Sequence, residues 1–300
     1  MSERSDEREV IPSEQPETER DTAGGAVLSR ADLHLHTNLG DGTASPRRVL
    51  EQAKRRGLKV IAVTDHDHME GAKRVQELID QGEGGGIQLI WGCEVTTRQG
   101  HFLGLFMKRP VKFLLPIEAA IEAIKEQGGL CIVPHPLGRL VPSLSQRKID
   151  ELLTKGYPID GIELYNPSPA NAGARRRVRE LNEQWGFAAT GGSDAHFWQH
   201  IGAAYTLFPG QTPADLRAAI LGHATREGGA EQRPERLPLT SYVGQTFWSM
   251  VLDPPRKLAR MAFREPATAP EEIRSPQSPL RNGSEGSLRD TQKAQSEHRV

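Results

Sequence analysis

The stretch that decides the fold reads Ala31-Asp32-Leu33-His34-Leu35-His36-Thr37-Asn38-Leu39-Gly40-Asp41-Gly42. Side chains alternate faces along a strand, so His34 and His36 are predicted to point the same way at a strand end. Two imidazoles so placed can bind one metal ion. Gly40 and Gly42 allow a sharp bend that presents Asp41, where a second ion could bind. A His-x-His pair alone fits packed histidines equally well, so the rest of the chain has to decide.

The composition describes a globular core with polar ends. The chain has 300 residues, a formal net charge of -1 and 36% hydrophobic residues. A near-neutral charge argues against a dedicated binder of duplex DNA. No apolar run is long enough for a transmembrane helix, and the N-terminus lacks the apolar core of a signal peptide. Cys93 and Cys131 lie in apolar runs and are expected to be buried thiols, so a cytoplasmic location is the expectation.

Strands and helices alternate from about residue 26 onward, which predicts an α/β domain. Only five residues separate the third and fourth strands, too few for a parallel crossover, so a hairpin is expected there. Seven strands, mostly followed by helices, predict a closed or nearly closed TIM-like barrel. Their predicted positions are residues up to 36, 58–64, 87–95, 101–107, 130–134, 160–165 and 187–191.

Side chains able to bind metal lie at or just beyond the ends of these strands. Each one alone would more often be a packed or capping residue, but nine of them in strand order make a shared metal site the better interpretation. Without sulfur ligands, imidazole and carboxylate favour zinc, manganese or iron. Nine ligands suffice for two or three divalent ions. They are His34, His36, Asp41, His66, Glu94, His101, His135, Asp194 and His196.

These motifs together resemble the PHP (polymerase and histidinol phosphatase) superfamily, over about residues 28–225. The resemblance is closest in style to the small stand-alone PHP phosphoesterases. It is carried by His34-x-His36 with Asp41-Gly42, Thr64-Asp65-His66-Asp67, Gly92-Cys93-Glu94, His101, Pro134-His135-Pro136 and Ser193-Asp194-Ala195-His196. Two positions depart from the common family pattern, with His68 where threonine is frequent and Gly40 where serine is frequent.

The resemblance implies a distorted (β/α)7 barrel, the PHP fold, with a three-metal site. One ion would be held by His34, His36, Glu94 and Asp194. A second would be held by Asp41, His66 and His196. A third would be held by Glu94, His101 and His135, with Glu94 bridging. The candidate catalytic residues are therefore Asp41, His66, Glu94, Asp194 and His196.

The implied activity is hydrolysis of phosphate esters by a metal-activated hydroxide. Nucleotides or short oligonucleotides are the expected substrates, as for a nucleotide phosphatase or a 5′-3′ exonuclease. Arg98 and Arg139 are candidate substrate-binding residues, although solvated loop arginines would look the same. The expected partner is a small phosphorylated molecule or a short single-stranded nucleic acid, without specificity for duplex DNA.

Three alternatives remain at this stage. The first is a phosphatase acting on histidinol phosphate or a sugar phosphate, because the fold and the ligands do not select the leaving group. The second is a metal hydrolase acting on a C–N bond, which would need a bridging lysine where this chain has Glu94. The third is a degenerate scaffold, against which the complete ligand set argues.

The chain is expected to divide into five segments. Residues 1–25 form a disordered tail, 26–227 the PHP domain, 228–238 a linker, 239–264 an amphipathic helical extension and 265–300 a second disordered tail. The extension carries a predicted apolar stripe followed by basic residues. It is expected to dock on the barrel or a second subunit, or to contact a membrane surface or partner protein. A chain ending near Pro238 is expected to keep its metal ligands and its activity. The stripe comprises Tyr242, Val243, Phe247, Met250 and Val251.

Overall fold

The computed structural model describes residues 27–139, 141–230, 235–256, 259 and 266–271. The predicted tail 1–25, and the predicted second tail from residue 272 onward, lie outside these ranges. Within them, one sheet contains nine strands. The strands are β1 Leu28–Leu35, β2 Val60–Val63, β3 Gln88–Thr97, β4 Gly100–Leu105, β5 Leu130–Val133, β6 Gly161–Tyr165, β7 Ala188–Gly191, β8 Tyr205–Pro209 and β9 Arg226–Gly228.

The sheet curls into a nearly closed barrel with the strand order β7-β6-β5-β4-β3-β2-β1-β8-β9. Strands β4 and β8 run against their neighbours, and the β3–β4 hairpin predicted from the short connection is confirmed. The barrel closes where β7 approaches β1, since the backbone N–H of His36 donates to the carbonyl of Ala195. This arrangement confirms the predicted fold class and brings most strands' carboxyl ends to one rim.

Two of the helices that cover the barrel begin at residues well suited to a helix start. The Ser45 hydroxyl accepts a hydrogen bond from the backbone N–H of Arg48, and Pro46 occupies the first turn. Thr212 and Asp215 form a reciprocal capping box. Seven α-helices lie wholly within the described ranges, namely α1 Pro46–Arg55, α2 Glu70–Leu78, α3 Ile117–Lys125, α4 Gln146–Thr154, α5 Arg175–Trp185, α6 Pro213–Leu221 and α7 Leu239–Phe247.

Two apolar clusters hold the barrel together. The larger packs the outer faces of the strands against the surrounding helices. The smaller joins inward side chains such as Leu33, Ile90 and Leu103 to Leu216 and Ile220 of α6. Because Gln88, at the start of β3, bonds to the loop preceding α6, this helix covers the amino-terminal end of the barrel. The opposite rim is left for polar side chains.

Strands β8 and β9 were not predicted from the sequence. β8 pairs antiparallel with β1, between Leu28↔Pro209 and Ala31↔Thr206, and β9 pairs with β8. The run Tyr205-Thr206-Leu207-Phe208 lies between a glycine-containing turn and a helix, so it reads equally well as connection or strand. Its pairing depends on the free edge of β1, which is a tertiary contact.

The C-terminal region packs on the barrel with only part of the predicted apolar stripe. Helix α7 is followed by one π-helical turn, Trp248–Leu252. In this helix and turn, the side chains of Leu239, Val243, Phe247 and Val251 are 78%, 62%, 55% and 50% exposed. They repeat every fourth residue, so they form one solvent-facing stripe. Of the predicted stripe, Val243, Phe247 and Val251 face solvent, whereas Tyr242 packs against the Phe197 ring of the barrel.

A short segment beyond the extension returns to the barrel. Ala267 and Ala269 are buried in the larger core cluster, and the backbone N–H of Ala269 donates to the carbonyl of Lys108. The ordered chain therefore continues past residue 265, where the sequence analysis placed the start of a disordered tail. The small side chains fit a narrow site that residue polarity alone did not reveal. Within the described ranges, no helix combines the length and apolarity needed to cross a bilayer.

Candidate metal centre

The nine predicted metal ligands lie together at the carboxyl rim of the barrel. His34 and His36 end β1, and a register shift of β1 against β2 occurs between Asp32 and Leu35. Such a β-bulge redirects side chains next to many active sites. His66 follows β2 and forms an isolated bridge with Glu94 on β3. His101 starts the antiparallel β4, which places it at this same rim.

The remaining ligands come from the far side of the barrel. His135 follows β5, while Asp194 and His196 follow β7. The backbone N–H of Asp194 donates to the carbonyl of His34 at 2.8 Å, which ties the last motif to the first. His135 and Asp194 have φ of 29° and 50°, a region that non-glycine residues rarely adopt and that is concentrated at functional sites.

Three overlapping groups have ligand atoms within 4.8 Å of one another. The first matches the set implied for one ion by the family resemblance. The second matches the other implied set with His36 added. The third contains His66 in place of the predicted His135. The groups are His34, His36, Glu94 and Asp194; His36, Asp41, His66 and His196; and His66, Glu94 and His101.

Glu94 is central to the cluster, and its two oxygens face different histidines. Oε2 lies 3.1 Å from His34 Nε2 and 3.3 Å from His36 Nε2. Oε1 lies 2.8 Å from His101 Nδ1 and 2.9 Å from His135 Nε2. This arrangement suits a carboxylate that bridges two ions. His135 therefore contacts the same Glu94 oxygen as His101, although it is not a member of the third group.

Glu163, which the sequence analysis missed, supports the cluster from behind. Its Oε1 accepts from His34 Nδ1 at 2.9 Å, and its Oε2 accepts from the backbone N–H of His135 at 2.7 Å. Because Nδ1 of His34 is engaged, Nε2 is left to face the cluster. Asn166 donates to both Glu163 and Asp194. A glutamate inside the otherwise apolar strand β6 was the available signal.

Crowding around this carboxylate explains Gly192. A Cβ at that position would lie 2.3 Å from Glu163 Oε1 and 2.6 Å from His34 Cβ. Only glycine allows the Ser193-Asp194 turn to approach this closely.

His196 and Asp32 are oriented by backbone groups. His196 Nδ1 donates to the carbonyl of Asp194 at 3.1 Å, which leaves Nε2 3.1 Å from Asp41 Oδ2. The Asp32 carboxylate accepts from the backbone N–H groups of Ser193 and Gly202. Burial nevertheless raises the pKa of Asp32 to about 6. Asp32 therefore connects β1 to the last motif. Simple alternation along the strand would place its side chain on the same face as His34 and His36, but its carboxylate binds these backbone groups instead.

The charges of the cluster compensate one another. Burial disfavours charged forms, but the imidazoles hold the pKa of Glu94 well below its ordinary range. In the same way, burial opposes protonation of His36, yet Asp194 and Glu94 outweigh it and raise the pKa of His36 to about 10. Burial lowers the pKa of His66, and the neighbouring carboxylates do not reverse this shift. The buried carboxylates of the cluster are thus stabilised in their ionised form by nearby positive charge, which protonated histidines supply here.

The donor set fits divalent metal ions. Both ring nitrogens of His36, Nδ1 of His66 and Oδ1 of Asp41 are buried without a hydrogen-bond partner. Buried polar atoms normally have such partners, so atoms left over at one point indicate a ligand. Imidazole nitrogen and carboxylate oxygen are ligands of zinc, manganese and iron. The cluster can therefore hold metal ions.

The predicted substrate-binding arginines are not joined to this cluster. Arg98 is exposed, and its Nε donates to the carbonyl of Leu114. Arg139 is exposed in the loop after His135. In the described ranges, neither forms a hydrogen bond or ion pair with a cluster residue, so their role stays a prediction. Arg175 is better placed, because its Nε donates to the carbonyl of Asn166, whose side chain contacts Asp194.

Three curated relatives share parts of this sequence. An uncharacterized protein of Methanocaldococcus jannaschii is 34% identical over 148 residues, which cover 46% of this chain and 81% of the relative. A phosphoribosyl 1,2-cyclic phosphate 1,2-diphosphodiesterase of Eggerthella lenta is 40% identical over 80 residues, 25% of this chain and 29% of the relative. A 5′-3′ exoribonuclease of Haemophilus influenzae is 30% identical over 105 residues, 34% of this chain and 37% of the relative.

Solved structures share the fold. A two-domain protein from Bacteroides vulgatus, which contains a predicted PHP-like metal-dependent phosphoesterase, superposes with a TM-score of 0.60 and 21% identity. The match covers 71% of this chain and 68% of that one. PsfC from Pseudomonas syringae gives a TM-score of 0.54 and 20% identity over 75% of this chain and 99% of that one.

Family models account for most of the barrel. The PHP domain model matches residues 32–163, which contain His34, Glu94 and His135, and the PHP-associated model matches residues 172–225, which contain Asp194 and His196. The order of the ligand motifs, the barrel and both matches agree, and this chain belongs to the PHP family.

Proposed function

We propose that this PHP-family metal-dependent phosphoesterase hydrolyses phosphate esters of nucleotides or short oligonucleotides. The observation that carries the proposal is the set of three ligand groups at one rim of the barrel. Each pair of groups shares one residue, which is His36, His66 or Glu94. Shared ligands imply ions close to one another, and closely spaced ions are suited to phosphoryl transfer. The relatives with named activities, a cyclic phosphodiesterase and an exoribonuclease, support this substrate class.

The chain's own residues would hold and orient the reacting groups. We assign the metal ligands to His34, His36, Asp41, His66, Glu94, His101, His135, Asp194 and His196. Bound ions would supply Lewis acidity and a lowered pKa for water. Glu163 fixes the His34 ring, and the Asp194 carbonyl fixes His196. Asp41, His66, Glu94, Asp194 and His196 remain the candidate catalytic residues.

The metal ligands alone do not select the leaving group of the substrate. A phosphatase for histidinol phosphate or a sugar phosphate would use the same ligands. A C–N hydrolase is less well supported, because no lysine forms a hydrogen bond or ion pair with the cluster among the residues the structure describes. The cytoplasmic location stays a prediction.

A phosphatase screen tests the proposal. The full chain is loaded with Mn²⁺, Zn²⁺ or Fe²⁺ and offered mononucleotides, nucleoside bisphosphates, short single-stranded oligonucleotides, ribose 5-phosphate, histidinol phosphate and a long DNA duplex. We expect phosphate release from nucleotides or oligonucleotide ends to exceed cleavage of the duplex. Activity confined to histidinol phosphate, or to long duplex, would contradict the proposed substrate class.

Glu94 provides the test of the metal centre. Replacing it as Glu94→Gln keeps the side-chain size and removes the shared charge, so we expect loss of most bound metal by elemental analysis and loss of turnover. Glu118→Gln is the matched control, because Glu118 pairs with Lys148 on the protein surface. Full metal content in Glu94→Gln would show that the assigned ligand set is wrong.

A further inference from the structure

We propose that the groove between helix α7 and the barrel binds the aromatic base of a nucleotide substrate. This inference rests on the proposed function and names the part of the site that would select the leaving group. The groove has a volume of about 540 Å³. Ligand sites for molecules of nucleotide size occupy several hundred Å³. The residues on which the argument depends are Thr43, Phe197, Trp198, Gln199, Gln245 and Trp248.

The groove is continuous with the candidate metal centre through Asp41. Asp41 lines the groove and also belongs to one of the three ligand groups. The Ser249 hydroxyl donates to Asp41 Oδ2 at 2.7 Å, and Gln245 Nε2 donates to the Asp41 carbonyl at 3.3 Å. These contacts hold the C-terminal region against the rim. A phosphate at the metal centre would therefore place its organic substituent beside α7.

The lining favours a flat and uncharged group. Two indoles offer stacking surfaces, the buried Phe197 ring forms part of the floor, and two glutamine amides offer donors and acceptors for ring edges. Among the residues described, no lysine or arginine lines the groove, so it is poorly suited to a second phosphate or an acidic peptide. A nucleobase combines the flat ring and the polar edge that this lining can satisfy.

The two indoles are held in position from within the chain. The Arg48 guanidinium lies 4.6 Å from the centre of the Trp198 ring, and Arg256 lies 4.7 Å from that of Trp248. The backbone N–H of Trp198 also donates to the Thr43 hydroxyl. Rings ordered before binding lose less entropy when a base stacks on them.

Binding of adenosine, which has no phosphate, tests the groove separately from catalysis. Equilibrium dialysis with the full chain in EDTA should give saturable adenosine binding. Trp248→Ala should weaken it about fivefold or more, as expected for loss of one stacking partner, and Trp248→Phe should restore most of it. Val243→Ala, on the solvent-facing side of the same helix, is the matched control and should bind adenosine normally.

Kinetics with the metal-loaded enzyme supply a second readout. The ratio of kcat/KM for AMP to kcat/KM for ribose 5-phosphate, which lacks the base, should fall about fivefold or more in Trp248→Ala. No adenosine binding, or adenosine binding insensitive to Trp248→Ala, would refute the groove as the base-binding site even if ribose 5-phosphate is hydrolysed. Adenosine binding that depends on Trp248, in a protein that cleaves no phosphate ester, would support the groove and refute the phosphoesterase proposal.

Discussion

At the residue scale, Glu163 is a site residue that the sequence analysis missed, and its hydrogen-bond partners permit only a carboxylate. Both of its oxygens face donors, since one accepts from His34 Nδ1 and the other from the backbone N–H of His135. A buried acceptor pair of this kind cannot be replaced by an amide, because the amide NH₂ would meet a donor. The side chain therefore specifies the orientation of His34 from outside the three ligand groups.

We expect Glu163→Gln to weaken metal binding by about 10- to 100-fold, the usual cost of losing a carboxylate that orients a ligating histidine. Metal affinity is measured by titration of the metal-free protein with Zn²⁺ against a fluorescent chelator. Glu180→Gln is the control, because Glu180 pairs with Arg176 on the surface. An affinity equal to that of the unmodified chain would show that Glu163 only fills space.

Arg175 is linked to the candidate metal centre through Asn166, and we expect it to bind a phosphate group of the substrate. It is half-buried at the start of α5, with its Nε on the Asn166 carbonyl and its guanidinium 5.0 Å from the centre of the Tyr165 ring. We expect Arg175→Ala to raise KM by about tenfold, because a hydrogen bond to a charged group contributes roughly 1.5–3 kcal/mol. Steady-state kinetics with the best substrate of the screen measure this change.

The neighbouring residue provides the control for that variant. Arg176 has a 93% exposed side chain and pairs with Glu180, so Arg176→Ala should leave KM unchanged. If both variants behave alike, general surface charge and not a phosphate contact explains the effect. If Arg98→Ala or Arg139→Ala gives the larger change, the arginines predicted from sequence position are the correct ones.

At the scale of elements, helix α7 has two faces with different roles. Tyr242 packs against the Phe197 ring with centroids 5.1 Å apart, while Gln245 and Ser249 contact Asp41. The opposite face presents the apolar stripe to solvent. In the sequence, Arg256, Lys257, Arg260 and Arg264 follow within one short stretch that contains no acidic residue. An apolar stripe followed by basic residues is typical of helices that bind anionic membrane surfaces.

We therefore expect the full chain to co-sediment with vesicles containing phosphatidylglycerol and not with phosphatidylcholine vesicles. The double variant Phe247→Ser, Val251→Ser should lose this binding, because it removes two exposed apolar side chains from the stripe. Metal content should be unchanged, since neither side chain touches the cluster. Vesicle binding that persists in this variant would show that residues outside the stripe bind the membrane, and no binding by the full chain would contradict the prediction.

The same helix changes the expectation for a shortened chain. A chain ending near Pro238 keeps all nine metal ligands, yet it loses Ser249, Gln245 and the groove wall formed by Trp248. It also loses Ala267 and Ala269 from the core. Retained metal binding is still expected. Discrimination between AMP and ribose 5-phosphate should disappear together with the groove.

At the scale of the whole molecule, metal ions and protons compete for one cluster. The carboxylates raise the pKa of His36 to about 10, so this imidazole is protonated in the metal-free protein near neutral pH. A ligating histidine has to be neutral, so metal binding releases protons. Affinity should therefore rise with pH and fall on acidification. Calorimetric titrations in buffers of different ionisation enthalpy would count the protons, and a pH-independent affinity would contradict the assignment of His36.

The folded state should gain stability from the same ions. Ligands held on six strands or strand ends come together only after folding, so ions bind the native chain far better than the unfolded one. At a free metal concentration about 100 times Kd, one site contributes roughly 2.7 kcal/mol. Thermal unfolding with and without EDTA measures this gain. An unchanged Tm would mean that the cluster is held by its own ion pairs alone.

The sequence by itself predicted the barrel, seven of its strands and nine candidate metal ligands, which the structure brings together at one rim. This was possible because each ligand lies near the end of a strand that local pattern reveals or just beyond it, and parallel strands deliver their ends to one rim. The approach of His34, Glu94 and Asp194 follows from topology once those strands are placed. Glu163 could also have been identified from the sequence, because a glutamate within a buried strand is rare unless its carboxylate is paired.

Other features depended on tertiary packing. Strand β8 forms because β1 has a free edge, and Ala267 and Ala269 are buried because the barrel leaves a narrow site beside Lys108. The hydrogen bond from Ser249 to Asp41 joins residues 208 positions apart. No periodicity of α7 predicts it, because the helix turns its apolar stripe to solvent and its polar face to the metal centre. Hydrophobic pattern indicates which face can be buried, but only the shape and polarity of the surface beneath decide which face is.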